Sequence, residues 1–378
     1  MFDPLVISFP HMGDYHLPIQ LFIKRLFPQA KVFAPPPITR ETATLGGRHS
    51  PDFICEPFKY NLGNFIQALE GGANVLLQTG LGCRYGYYGE LQEQILRDLG
   101  YDFQFLCLSR DRARPHTAFH AFRDLGSPLT TAQMTQALFL ALTSIRAMDK
   151  LSGYIRENAG FSEYPENMNA VYSHFLKSLH QADTVGKVKA LVRFHEAKLR
   201  KIPSNPPPLP LRVGIVGDLY TVMEPFSNYD IEQKLIRKGG ISISRKMSVS
   251  FLLFGPPKSL TLRKARGYLR YPVGANGLDS VAQSLKYAAQ GYDGILHIKS
   301  FGCTPELSAM PALMNIGADY EIPILHMSFD IHSSSAGLDT RLEAFMDMLE
   351  MRRERTDAKR LLSGGGRGLR FHKGRHSG

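Results

Sequence analysis

Gly80-Leu-Gly-Cys83-Arg-Tyr-Gly-Tyr-Tyr-Gly89 follows the apolar run Val75-Leu-Leu-Gln78 and precedes a helical pattern from Leu91 to Leu99. The run reads as a short buried strand. Cys83 therefore falls in a glycine-rich loop, between the carboxyl end of a strand and the start of a helix. In open α/β sheets that edge is where ligands bind. Glycines let a backbone approach a bulky guest, and a helix N-terminus favours an anion or a thiolate.

A second stretch repeats the layout. Gly291-Tyr-Asp-Gly-Ile-Leu-His-Ile-Lys-Ser-Phe-Gly-Cys303-Thr-Pro-Glu306 is again strand, glycine, cysteine, helix start, with Cys83 lying 11 positions after Gly72 and Cys303 lying 12 after Gly291. Two α/β units, each presenting one thiol, are expected. Cys55, in Pro51-Asp-Phe-Ile-Cys-Glu-Pro-Phe-Lys59, adds a third thiol.

Outward from these loops the first half alternates. Leu5–Phe9, Lys31–Ala34 and Phe103–Leu108 read as strands, and Leu17–Leu26 and Asn61–Leu69 as helices; Ile38–Pro51, with Gly46-Gly47, reads as a loop. Such alternation predicts a parallel sheet with helices on both faces. Thr130–Arg200 shows only helical periodicity, and Pro203-Ser-Asn-Pro-Pro-Pro-Leu-Pro210 is a linker. The pattern then restarts: strands at Leu211–Val216, Ile295–Ile298 and Ile322–Met327, helices at Ile231–Ile236, Ser280–Ala289 and Glu306–Asn315, and a last helix from Gly337 to Leu349. The expected divisions are residues 1–125, a first α/β unit with Cys55 and Cys83; 126–205, a helical insertion with its linker; 206–350, a second α/β unit with Cys303; and 351–378, a basic glycine-rich tail without fixed structure.

The net charge of +11 invites a nucleic-acid reading until it is located. From Met351 onward Arg352, Arg353, Arg355, Lys359, Arg360, Arg367, Arg370, Lys373 and Arg375 stand against Glu354 and Asp357, which is +7 and leaves +4 for residues 1–350. The tail lacks the aromatic interleaving of a nucleic-acid binder, so nucleic acid is not an expected partner. No apolar run approaches a membrane span, and Met-Phe-Asp-Pro has no basic signal region. A cytoplasmic protein without a membrane partner is expected. In that compartment four cysteines suit metal binding or burial better than disulfides. The chain has no Walker loop, no G-x-G-x-x-G after a first strand, no nucleophile elbow and no metalloprotease helix motif.

Three cysteines on loops at matching sheet edges suit an iron–sulfur cluster, because three thiolates leave one iron of a [4Fe–4S] cube open. Zinc is the competing metal, and burial as small apolar side chains the competing role. Cys107, inside a strand pattern, reads as such a buried thiol. Lys59 and Arg84 flank the thiols and are candidates to balance a cluster's charge or to contact an anionic partner. His297 and His326 read as core histidines. His11 and His16 stand near the cleft with no evident base, and Asp218 and Glu224 read as capping residues.

Cys55-Glu-Pro-Phe-Lys-Tyr-Asn-Leu-Gly63, the Gly80–Gly89 loop and Phe301-Gly-Cys-Thr-Pro-Glu306 resemble the 2-hydroxyacyl-CoA dehydratase component family. Its branch of CoA-enzyme-activase-related proteins is the closer likeness. Gly217-Asp-Leu-Tyr-Thr-Val-Met-Glu-Pro-Phe-Ser-Asn228 and the stretch Ser328–Phe345 resemble that branch too, and the similarity runs over roughly residues 3–350. The resemblance implies two Rossmann-like units with a helical part, and a [4Fe–4S] cluster on Cys55, Cys83 and Cys303. It implies an ATP-hydrolysing activase as partner, which injects a low-potential electron. In the dehydratases that electron drives ketyl-radical chemistry on a 2-hydroxyacyl-CoA, so an acyl-CoA substrate and a homo- or heterodimer are expected. Related double-cubane reductases need six cysteines per chain, which this chain lacks. A non-catalytic electron-transfer or scaffold subunit is the alternative.

Overall fold

The structure is a computed structural model and describes residues 4–80, 83–108 and 115–362. The chain forms two compact units, Met1–Ser333 and Ser334–Gly378. The first unit contains two four-stranded sheets, each wholly parallel, with strands in the same relative order.

The first sheet is built from β1 (Val6–Ser8), α1 (His16–Leu26), β2 (Lys31–Val32), α2 (Arg40–His49), α3 (Glu56–Glu70), β3 (Val75–Gln78), a 3₁₀ turn at Arg84–Tyr87, α4 (Tyr88–Asp98) and β4 (Gln104–Cys107). Its order is β2-β1-β3-β4. Helices α5 (Pro115–Asp124), α6 (Thr131–Asn158), α7 (Pro165–Leu179) and α8 (Val185–Arg200) follow. The second sheet contains β5 (Leu211–Gly217), the short helices α9 (Leu219–Met223) and α10 (Pro225–Asn228), α11 (Ile231–Lys238), β6 (Ile241–Arg245), α12 (Val249–Phe254), α13 (Lys258–Ala265), α14 (Gly277–Ala289), β7 (Gly294–Ser300), α15 (Thr304–Asp319) and β8 (Ile324–Phe329). Its order is β6-β5-β7-β8. The chain is thus α/β, with two Rossmann-like parallel-sheet units and helices between and around them. The second compact unit holds α16 (Ser335–Leu362).

Side-chain alternation along β3 shows why the first sheet is covered on both faces. Val75 and Leu77 join Ile7, Phe119, Phe122 and Met134 in one buried cluster. Leu76 points the other way, to Phe58, Leu62, Phe65, Ile66 and Leu96 on α3 and α4. Adjacent strand residues face opposite sides, so one apolar run supplies two cores. Each sheet changes direction beside its first strand, between β1 and β3 and between β5 and β7. Loops leaving such a switch point carry ligands in open α/β sheets.

Residues 38–51 are not a loop throughout. Arg40–His49 is a helix, opened by a reciprocal cap in which Thr39 and Thr42 each accept from the other's backbone N–H. Glycines on both sides of its contact with α3 serve close packing: a Cβ on Gly46 of α2 would stand 1.8 Å from the Lys59 carbonyl, and one on Gly63 of α3 2.1 Å from that of Thr42. Two further differences concern boundaries. Strand β6 and helices α12 and α13 occupy a stretch with no element expected, and α16 continues past Met351 to Leu362. Leu81 and Gly82 of the cysteine loop, and the tail from Ser363, lie outside the described residues.

Candidate functional site

Each of the three cysteines occupies the N-cap of a helix: Cys55 before α3, Cys83 before the 3₁₀ turn that runs into α4, and Cys303 before α15. Prolines in the first turns of α3 and α15 make those starts favourable, since their missing N–H groups have no helical partner to lose. The positive helix ends then lie beside the cysteines. Tyr85 donates its N–H to Cys83 Sγ at 3.4 Å, and the Glu306 N–H bears on Cys303 in the same way.

Tertiary contacts bring the three together. A Cβ on Gly302 would lie 3.2 Å from both the N and Cα of Cys55, so the loop after β7 passes against the start of α3. Arg84, next to Cys83, donates to the Gly302 carbonyl at 2.8 Å and to Thr304 Oγ1 at 3.1 Å. Ser300 accepts the Glu56 N–H on its hydroxyl at 3.0 Å and gives its own N–H to Asp218 Oδ2 at 2.6 Å. Cys83 disfavours ionisation of Cys55, and Cys55 disfavours that of Cys303.

Burial holds these thiols neutral. It pushes Cys55 up to about 12, with Asp218 and Cys83 adding to the rise and the Tyr88 hydroxyl, hydrogen-bonded to its sulfur, opposing it. Burial likewise raises Cys83 and, further still, Cys303; Asp218 adds to both, and Glu306 to the second. Lys299, also buried, has its ammonium disfavoured by the same loss of water, and Cys303, Asp218 and Glu306 offset part of that cost.

Among the described residues no three His, Cys, Asp or Glu side chains stand as a group able to hold a metal. The thiols are gathered, not locked into a ligand geometry. Three thiols are the soft donors that a thiophilic metal or an iron–sulfur cluster takes, and N–H groups bear on the sulfur of Cys83 and of Cys303. Arg84 braces the loop that carries Cys303. Lys59 pairs with Glu56 at 2.8 Å, beside Cys55. Cys107 is half-buried on β4 under Gly89.

The histidines are more tightly held than their sequence context suggests. His297 is fully buried on β7, with Nε2 2.9 Å from Glu306 Oε2 and Nδ1 2.8 Å from His326 Nδ1; Ser280 donates to Glu306 Oε1 at 3.1 Å. Burial lowers His326 to about 4, with His297 and Lys299 adding to the drop. His11 does have a carboxylate partner, contrary to expectation. Its Nδ1 lies 3.1 Å from Glu224 Oε2, which also accepts the Gly13 N–H at 2.6 Å. His16 stacks on His11 with ring centroids 4.9 Å apart. Asp218 and Glu224 cap α9 and α10 as expected, and both also reach across to a distant strand end or loop. Ser300, Glu306 and the His11–Glu224 pair left no local signal: their partners lie up to 244 residues away.

No protein-family model matches the chain, and no curated protein matches it.

Proposed function

We propose that the chain is an iron–sulfur protein. It holds a [4Fe–4S] cluster on Cys55, Cys83 and Cys303, takes a low-potential electron from an ATP-hydrolysing activase, and passes it to a bound acyl-CoA. The observation that carries this reading is that three thiols remote in sequence each stand at a helix start, on segments that touch: the Gly302 loop packs against Cys55, and Arg84 binds the Gly302 carbonyl. The resemblance to 2-hydroxyacyl-CoA dehydratase components supports the activase and the thioester.

When bound, the cluster supplies low-potential electrons and one iron without a protein thiolate. The chain's own residues do the rest. Helix ends at Cys55 and Cys303 offset thiolate charge. The Tyr88 hydroxyl and the Tyr85 N–H donate to sulfur, which steadies the thiolates. Burial excludes water, and Arg84 fixes the Cys303 loop against the Cys83 loop. Because the thiols are neutral beforehand, loading must release their protons, so it is favoured by rising pH.

Anaerobic purification with iron and sulfide assay tests the reading. The expected result is a brown protein with about four irons per chain, and loss of iron in Cys83→Ala. A colourless, iron-free wild type sinks it. Turnover of a 2-hydroxyacyl-CoA with activase and ATP then tests the catalytic part; a folded, clustered but inert chain makes the protein an accessory electron-transfer subunit.

A further inference from the structure

Helix α12 is almost wholly apolar, Val-Ser-Phe-Leu-Leu-Phe, yet buries none of its residues. Leu252, Leu253 and Phe254 are 43%, 49% and 45% exposed, and Phe139 on α6 is 61% exposed. The Arg146 guanidinium sits 3.7 Å over the Phe254 ring. Phe139 and Arg146 lie two turns apart on one face of α6. Large apolar side chains clustered at the surface mark an interaction site.

Charge says what kind. Residues 233–278 contain ten Lys/Arg and no Asp or Glu. Only Gly255-Pro-Pro257 separates α12 from α13. Arg263, Lys264, Arg266 and Arg270 are exposed and make no hydrogen bond or ion pair with any described residue. Lys258 is held by Asp279. Tyr271 closes the segment in solvent.

We propose that α12 and the basic segment after it form a peripheral docking surface for an anionic lipid bilayer. A second copy of the chain fits poorly, because a two-fold interface would set these cations against their own images. A preformed protein groove fits less well than lipid. Three consecutive helical residues fan over about 200° of the helix circumference, so no single rigid face meets all of them, whereas the fluid headgroup–acyl boundary does. Apolar insertion together with a cationic rim are the two signals that stable adsorption needs. Among the described residues no helix is long and apolar enough to cross a membrane, and adsorption requires none. The surface is independent of the thiol site.

Flotation of the full chain with vesicles tests this. The probes are phosphatidylcholine alone and phosphatidylcholine with about 30% phosphatidylserine, at about 0.1 M salt. Binding to the mixed vesicles only is expected. The triple variant Leu252→Ser, Leu253→Ser, Phe254→Ser should weaken it about tenfold or more, and Arg263→Glu with Lys264→Glu by a similar factor. Reversing tail charges, Arg367→Glu and Arg370→Glu, should change it less than about threefold. Binding that survives the triple variant but is lost on tail reversal overturns the proposal as mere polybasic attraction. Absence of binding to the mixed vesicles also overturns it and assigns the patch to an acidic protein. Thermal melts of each variant separate lost docking from lost fold.

Discussion

Helices α3 and α15 each begin at a cysteine of the candidate site, but they are anchored by opposite means. Helix α3 is held by shape. Glycines 46 and 63 let α2 and α3 touch backbone to backbone, and Phe58, Leu62, Phe65 and Ile66 fill the space against β3. Helix α15 packs Ala309, Ala312, Leu313 and Ile316 on its sheet, and it adds a buried polar ladder, Ser280–Glu306–His297–His326. A steric anchor is indifferent to pH and intolerant of volume. A polar anchor tolerates volume better and fails when a partner is removed or charged. The two thiols are therefore positioned by supports with different vulnerabilities.

The sharpest way to break the comparison is Gly46→Ala. The new methyl would overlap the Lys59 carbonyl, so the helices must part. A loss of about 4 kcal/mol is expected in urea unfolding, far above ordinary overpacking, with the same loss at every pH tested. A cost under about 1 kcal/mol would mean that the α2–α3 contact yields freely.

Glu306→Ala comes next. It strands the buried His297 and Ser280, so a loss of about 3 kcal/mol is expected, whereas Glu306→Gln keeps one acceptor and should lose about half of that. Equal losses for the two variants would show that side-chain volume, not the polar ladder, anchors α15.

The smallest effect is a pH slope. His326 titrates near 4 when folded against an ordinary 6.5, because burial disfavours its charged form. Between those values the unfolded chain binds more protons. The stabilisation is thus fully present above about pH 6.5 and is lost as pH falls toward about 4. His326→Gln should flatten stability between those limits relative to wild type, measured as urea midpoints. Parallel slopes would contradict a polar ladder sensitive to protonation.

Much of this contrast was visible in the residues. Val75-Leu-Leu-Gln78 and Ile295–Ile298 announce buried strands, and the glycine–cysteine junctions after them lie where a parallel sheet opens. The helix at Arg40–His49 was hidden because Gly46-Gly47 signals a loop locally, whereas Gly46 answers the backbone of α3, which begins sixteen residues after α2 does. Strand β6 follows Gly239-Gly240 and carries only the short alternation Ile241-Ser-Ile-Ser. His297 and His326 were expected to be satisfied core residues; His297 is one, whereas His326 is half-buried and bonds to it. That Glu306 is the partner of His297 depended on α15 lying over β7.

What the sequence determined by itself is local: strand and helix periods, and thiols at strand-to-helix junctions, because backbone propensity and side-chain alternation act over a few residues. Only the tertiary structure decided which groups face the thiols. Ser300 meets Glu56 across 244 residues, and Glu224 meets His11 across 213. Such pairings follow from how the two sheet edges oppose one another, a geometry fixed by packing of the whole unit and not by any stretch within it.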